Sequence, residues 1–366
     1  MIPPFTPALP EPYVRAVMPA IEQILRSGKL VLGEHTTAFE AAAAAMAGSA
    51  HAVAVNSGTT ALEIIFRAIG VRDRVVLVPT NTNYATAAAA LQAGARLRLY
   101  DGGLYPDLAD VEHRLDSDVA AVVVVHIGGY LSPDLARLAG MCAQAGIPLI
   151  EDAAHAHGSR TGEIRAGSFG YTAAWSFFTT KVISTGGEGG AITTNAPDLV
   201  TTARTARDQG KDRTGFHVMA GSSWRMTEIG AAIGLVQFSH LDRDRHIRRT
   251  VIDRYSRYLG GHGLTFPALA ADEDVSGHKC VAVLEQGIDR DRLRHLVAER
   301  GVVLARGVYD QPLHRQPVFA DLGLGDVFPA ADDFAARHIC LPLWTAMDSA
   351  SIDRVITAVT TSINDL

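Results

Sequence analysis

The run Ala121-Val122-Val123-Val124-Val125 is apolar at every position, so a strand built from it has no side that tolerates water. Strands of this kind belong in sheets covered by helices on both faces. Other candidates stand on either side of it, at Val75-Val76-Leu77-Val78, Arg96-Leu97-Arg98-Leu99-Tyr100 and Ile147-Pro148-Leu149-Ile150. Between them lie alanine-rich stretches that predict helices over 59–70, 84–93 and 133–145, and alanine is the best helix former, so the tract 41–45 also reads as helix. The alternation predicts an α/β domain with a mostly parallel central sheet flanked by helices. From Met226 the pattern changes to one long helical segment through Leu259, then a strand near 279–284 and helices near 290–300 and 350–364. These describe a smaller C-terminal α+β domain, with a boundary near 240: 1–240 large, 241–366 small.

A chain of 366 residues is long for a single core, which suits that division. The formal net charge of −6 gives no general attraction to nucleic acid or anionic lipid. The basic cluster at 243–249 offers a local contact face or, more simply, a solvated helix face. Apolar runs fall well short of the ~18 residues a membrane helix needs, and the N-terminus has no signal-peptide pattern. Cys142, Cys280 and Cys340 are widely spaced and odd in number, so neither a disulfide framework nor a metal site is expected. The expectation is a soluble, cytoplasmic protein without bound metal.

Two groups stand out chemically. Asp152 follows the apolar segment 147–150, and in open α/β sheets ligands gather at the carboxyl ends of strands. Lys181 precedes the glycine-rich Gly186-Gly187-Glu188-Gly189-Gly190. An amine able to condense with an aldehyde, and a carboxylate able to pair with a pyridinium nitrogen, are what pyridoxal phosphate needs from a protein. Taken singly, the aspartate is as well a helix cap and the lysine a surface residue. Ser57-Gly58-Thr59-Thr60, opening an apolar helix, can hold a phosphate on backbone N–H groups and hydroxyls, or can be a simple N-cap. Ser176, five residues before Lys181, adds a hydroxyl.

The order of Ser57-Gly58-Thr59-Thr60-Ala61-Leu62, Val125-His126-Ile127-Gly128-Gly129, the block from Glu151 to Gly158, Ser176 to Lys181, Gly187-Glu188-Gly189-Gly190, Trp224-Arg225-Met226-Thr227-Glu228 and Pro312-Leu313-His314 resembles the DegT/DnrJ/EryC1/StrS aminotransferases. These are sugar aminotransferases among the fold-type-I pyridoxal phosphate enzymes. The resemblance implies that Lys181 carries the cofactor, Asp152 pairs with its ring nitrogen, and His155 approaches its ring oxygen. Gly58, Thr59, Thr60 and Ser176 then surround the phosphate. It further implies a homodimer with shared active sites, the segment around Ser223 reaching the neighbouring subunit. Two positions depart from the family pattern: Asn83 stands where an aromatic residue usually stacks on the ring, with Tyr84 beside it, and Ser223 stands where an asparagine usually contacts the phosphate. His126, Tyr309 and His314 are candidates for substrate contact; Trp224 and Trp344 are expected to pack.

On this reading the chain moves an amino group from an amino acid, glutamate or glutamine, to a keto sugar carried on a nucleotide. A keto cyclitol or another non-nucleotide ketone is an alternative acceptor. A sensor that keeps the fold and ligand without catalysis is the alternative of another class, and retention of both Asp152 and Lys181 speaks against it. A dehydratase of the same family would carry histidine in place of Lys181.

Overall fold

The computed structural model describes residues 1–7, 9–322 and 326–366. Two helices, α1 (Glu11–Ser27) and α2 (Glu34–Ala47), precede β1 (His51–Val55), α3 (Gly58–Ile69), β2 (Val75–Pro79), α4 (Tyr84–Gln92) and β3 (Arg96–Tyr100). Next come α5 (Leu108–Arg114), β4 (Val119–Val125), α6 (Leu135–Gln144), β5 (Leu149–Asp152) and two short strands, β6 (Arg160–Thr161) and β7 (Ile164–Arg165). The strands β8 (Thr172–Ser176) and β9 (Gly190–Thr194) and the helices α7 (Pro197–Arg207) and α8 (Glu228–Phe238) follow.

The main sheet has seven strands in the order β1-β9-β8-β5-β4-β2-β3. The pairs β2/β3, β2/β4, β4/β5 and β5/β8 are parallel, whereas β9 runs against both of its neighbours. β1 and β8 therefore point the same way, and six of the seven strands end on one edge. Successive residues of a strand face opposite sides, and both sides are covered. Val76, Val78, Val123 and Val125 pack with α3, α4 and α7, while Val75, Leu77, Val122 and Val124 pack with α5 and α6. The unbroken apolar run at 121–125 is explained by this double coverage.

The C-terminal part holds α9 (Leu241–Leu259), β10 (Leu264–Thr265), β11 (Glu273–Asp274), β12 (Cys280–Leu284), α10 (Arg290–Glu299), α11 (Pro329–Arg337), β13 (His338–Leu341) and α12 (Ser349–Asn364). The antiparallel sheet β10-β12-β13 and the helices α9, α10 and α12 share a core of their own, which Ile2 and Tyr130 join from the first part of the chain. The single helical segment expected over 226–259 is instead two helices. His240 breaks it with φ −116° and ψ 3°, and its ring stacks on Tyr13 at 4.6 Å. Among the described residues no helix is long and apolar enough to cross a membrane, and no His/Cys/Asp/Glu group is arranged for a metal.

Candidate active site

The shared strand edge collects the chemistry. Ser57 to Thr60 follow β1, Asn83 follows β2, Asp152 is the last residue of β5 and Ser176 the last of β8. Lys181 sits in the loop joining β8 to β9, where its amide donates to the Phe178 carbonyl at 2.9 Å and the Phe177 amide to Gly189 at 2.8 Å. These residues enclose a cavity of about 270 Å³ lined by Gly58, Thr59, Asn83, Asp152, His155, Ser176, Lys181 and Tyr309, together with Ser57, Phe178 and Glu188.

One wall is the first turn of α3. Ser57 caps it, its Oγ accepting from the Thr60 amide at 3.1 Å and donating to the Thr60 hydroxyl at 2.9 Å. Glycine is required next: a Cβ on Gly58 would lie 2.8 Å from the Ser176 Cβ, and one on Gly190 would lie 2.1 Å from the Ser57 carbonyl oxygen. The close approach seats the helix N-terminus, with its unpaired amides and partial positive charge, directly against Ser176. Thr59 lines the cavity, whereas Thr60, expected to share the phosphate, is turned inward and its hydroxyl is taken by Ser57.

The opposite wall carries Asp152. Its Oδ2 accepts from the Thr86 hydroxyl at 2.8 Å and its Oδ1 from the Ala154 amide at 3.2 Å, which holds the carboxyl group in place. Thr86 had no signal in the sequence; it lies on α4, three residues beyond Asn83. His155 accepts at Nδ1 from the Gly128 amide at 3.3 Å. Burial, with the charges of Lys181 and Lys279, holds its pKa well below the usual value, so the ring is neutral with its proton on Nε2. A neutral Nε2–H donor suits an oxygen acceptor. Tyr309 stacks beside His155 at 5.9 Å, its phenol pushed well up by burial and by Asp152, so it too is a donor. Lys181 is lowered to about 8, chiefly by burial and secondarily by Lys279, with Asp152 opposing.

Asn83 remains on the cavity wall, its side-chain oxygen accepting from the Ala85 amide at 2.9 Å as the cap of α4. Tyr84 does not replace it, because its ring is exposed and lies against Phe319 at 5.8 Å. Two histidines expected to touch substrate do not line the cavity. His126 is 1% exposed and its Nε2 lies 2.9 Å from Glu151, a carboxylate that also collects the amides of Gly167, Phe169 and Gly170. His314 spends both ring nitrogens, on Thr80 at 2.7 Å and on Asp332 at 3.1 Å. Ser223 is exposed, away from this cavity, with its hydroxyl accepting from Arg225 at 3.1 Å.

The cavity therefore joins an amine of lowered pKa, a carboxylate fixed at a strand end, neutral hydrogen-bond donors and a glycine-shaped helix N-terminus flanked by two hydroxyls. This donor set fits an aromatic nitrogen heterocycle bearing a phosphate. The model of the DegT/DnrJ/EryC1/StrS aminotransferase family matches residues 14–360. The chain belongs to this family. EryC1 of Saccharopolyspora erythraea, an erythromycin biosynthesis sensory transduction protein by name, is 33% identical over 92% of either chain. The dTDP-3-amino-3,4,6-trideoxy-alpha-D-glucose transaminase of Streptomyces venezuelae is 31% identical over 93% of this chain and 90% of its own. The crystal structure of S. venezuelae DesV is 30% identical and superposes with a TM-score of 0.93 over 100% of this chain and 99% of that one. As a member of this family, the chain is an aminotransferase by class, with the fold-type-I architecture of these enzymes.

Proposed function

We propose that this aminotransferase uses pyridoxal phosphate to move an amino group from an amino acid, glutamate or glutamine, to a keto sugar linked to a nucleotide. The observation that carries the reading is the meeting of Lys181, Asp152 and the α3 N-terminus in one cavity. Pyridoxal phosphate, when bound, supplies an aldehyde that exchanges amines and a ring that accepts the electron pair left on a deprotonated carbon. Lys181 would hold the cofactor through its side-chain amine, and the same amine, when free, would take up and return a proton at the substrate carbon. Asp152, anchored by Thr86, keeps a negative charge at the ring nitrogen. Thr59, Ser176 and the first-turn amides of α3 hold the phosphate.

The name of the S. venezuelae transaminase supports a nucleotide-linked sugar over a cyclitol. Support for a homodimer with shared sites comes from exposed apolar residues Val14, Met18 and Leu25 on α1 and Leu30, Val31 and Leu32 after it. Ser223 would reach the neighbouring cofactor phosphate. The division into 1–240 and 241–366 rests on the separate core around β12, with Ile2 and Tyr130 crossing over to it. Three buried, unpaired cysteines suit a reducing, cytoplasmic setting.

The test is direct. Borohydride treatment of protein loaded with pyridoxal phosphate should fix the cofactor to the peptide containing Lys181, and not in Lys181→Ala. L-glutamate or L-glutamine should then convert the bound cofactor to its amine form, read by absorbance, and a dTDP-linked keto sugar should reverse the change. EryC1's name supports one other reading, a sensor. That reading gains if the cofactor binds and no amino acid alters it.

A further inference from the structure

Lys181 is the partition between two cavities. Beyond it from the cofactor residues lies a second one, of about 320 Å³, walled by Phe5, Tyr13, Arg248, His278, Lys279 and Trp344. That volume is at the small end of the ~300–1,000 Å³ range of ligand sites, suited to an amino acid. Two cations face it without an ion-pair partner among the described residues. The Lys279 ammonium lies 5.1 Å from the centre of the Phe5 ring. Arg248 donates one N–H to the Gly277 carbonyl at 3.1 Å, and its Nε is buried with no partner. The one carboxylate on this wall, Asp244, is already engaged, accepting from the Tyr13 hydroxyl at 2.8 Å and from Arg243 at 3.0 Å. The local balance is positive, and burial pushes Arg248 down to about 10 and Lys279 below its usual value, a cost that a bound anion removes.

We propose that Lys279 and Arg248 form the subsite for the α-carboxylate of the amino donor. This rests on the aminotransferase reading above. The donor's carboxylate is bonded to the same carbon as the nitrogen that displaces Lys181, so it must lie within a few ångströms of that lysine's end. A nucleotide diphosphate is separated from the reacting carbonyl by the sugar ring and belongs farther off. Fixing the carboxylate also decides which bond of the donor's α-carbon faces Lys181, the group that takes its proton.

The holoenzyme carries the test. Half-saturation by L-glutamate is followed through the cofactor absorbance, and binding of glutarate, a dicarboxylate with no amine, is followed by calorimetry. Loss of a charge-assisted contact should weaken both by about ten- to a hundredfold in Lys279→Met and in Arg248→Gln. Lys279→Arg should recover most of the loss, which a merely structural role would not predict. Wild-type values for glutamate and glutarate in both charge-removing variants overturn the subsite. So does loss of dTDP binding in Lys279→Met with glutarate binding intact, which assigns the pair to phosphate. A wild-type holoenzyme that converts no amino acid would instead sink the function proposed above, whereas conversion unaffected by either substitution sinks the subsite alone.

Discussion

Lys181 stands between influences of opposite sign: burial and the Lys279 charge favour its neutral amine, and Asp152 favours its ammonium form. The first two prevail, and the amine titrates at about 8, against roughly 10.4 for a free lysine. Because the neutral amine is the nucleophile, the rate at which the cofactor-free protein captures an added aldehyde should rise with pH through about 8 and level off above it. A rate still climbing toward the ordinary lysine range would show that the desolvation is not felt. Sequence alone could nominate this lysine from its place ahead of the glycine-rich turn, and Asp152 from its strand end. The family resemblance put His155 at the cofactor, but no local signal showed that His126 and His314 are held elsewhere. His155 lines the cavity while His126 and His314 are tied to Glu151, Thr80 and Asp332, partners 25, 234 and 18 residues away. Nor could sequence alone tell Arg248, inside a basic run read as solvent-facing, from its neighbours; that depends on which side of α9 meets Lys181.

Elements were legible where their own residues decide them. The strands at 75–79, 96–100 and 119–125 and the helix α3 match expectation within two residues, because apolar continuity or alternation, an N-cap serine and a C-cap glycine, Gly70, are local signals. Signals that arrive from afar were not legible. The N-cap of α2 is Gly33, which has no side chain to offer, and the orphan amides of Gly33, His35 and Thr36 are taken at 2.9 Å by Glu228, 195 residues from the cap. The Thr36 hydroxyl donates to the same carboxylate. Burial opposes the charge on Glu228, but these hydrogen bonds outweigh it and hold its pKa below the usual value. A depressed carboxylate contributes stability that is present above the unfolded pKa of roughly 4.3 and is lost as pH falls through the folded value. Glu228→Gln should therefore cost about 2–4 kcal/mol near neutrality, measured by urea unfolding, and the deficit relative to wild type should shrink below pH 4. A deficit that stays constant into acid would mean the charge on Glu228 is not what anchors α2.

At the scale of the whole molecule, parallel strand direction is what makes the site: β1, β2, β5 and β8 deliver Ser57, Asn83, Asp152 and Ser176 to one edge, so order along the chain becomes proximity in space. One residue proposed for the cofactor stands outside this arrangement. Ser223 is exposed and outside its own chain's cavity, which is the position a residue must have to serve the neighbouring site of a dimer. Two defective variants can test this. Lys181→Ala removes the amine from its own site, and Ser223→Arg, a bulky change on an exposed loop, should block the partner's. In a heterodimer of the two, one site receives both defects and the other neither. Equal mixing after dissociation and reassociation should give half heterodimers, each with one intact site, and so about one quarter of wild-type activity from two nearly inactive proteins. If Ser223 served its own chain's site, every pairing would carry a defect in each site and the mixture would stay inactive. Co-purification of both variants through a tag carried by only one of them establishes that heterodimers have formed, so inactive heterodimers would place Ser223 in its own chain's site.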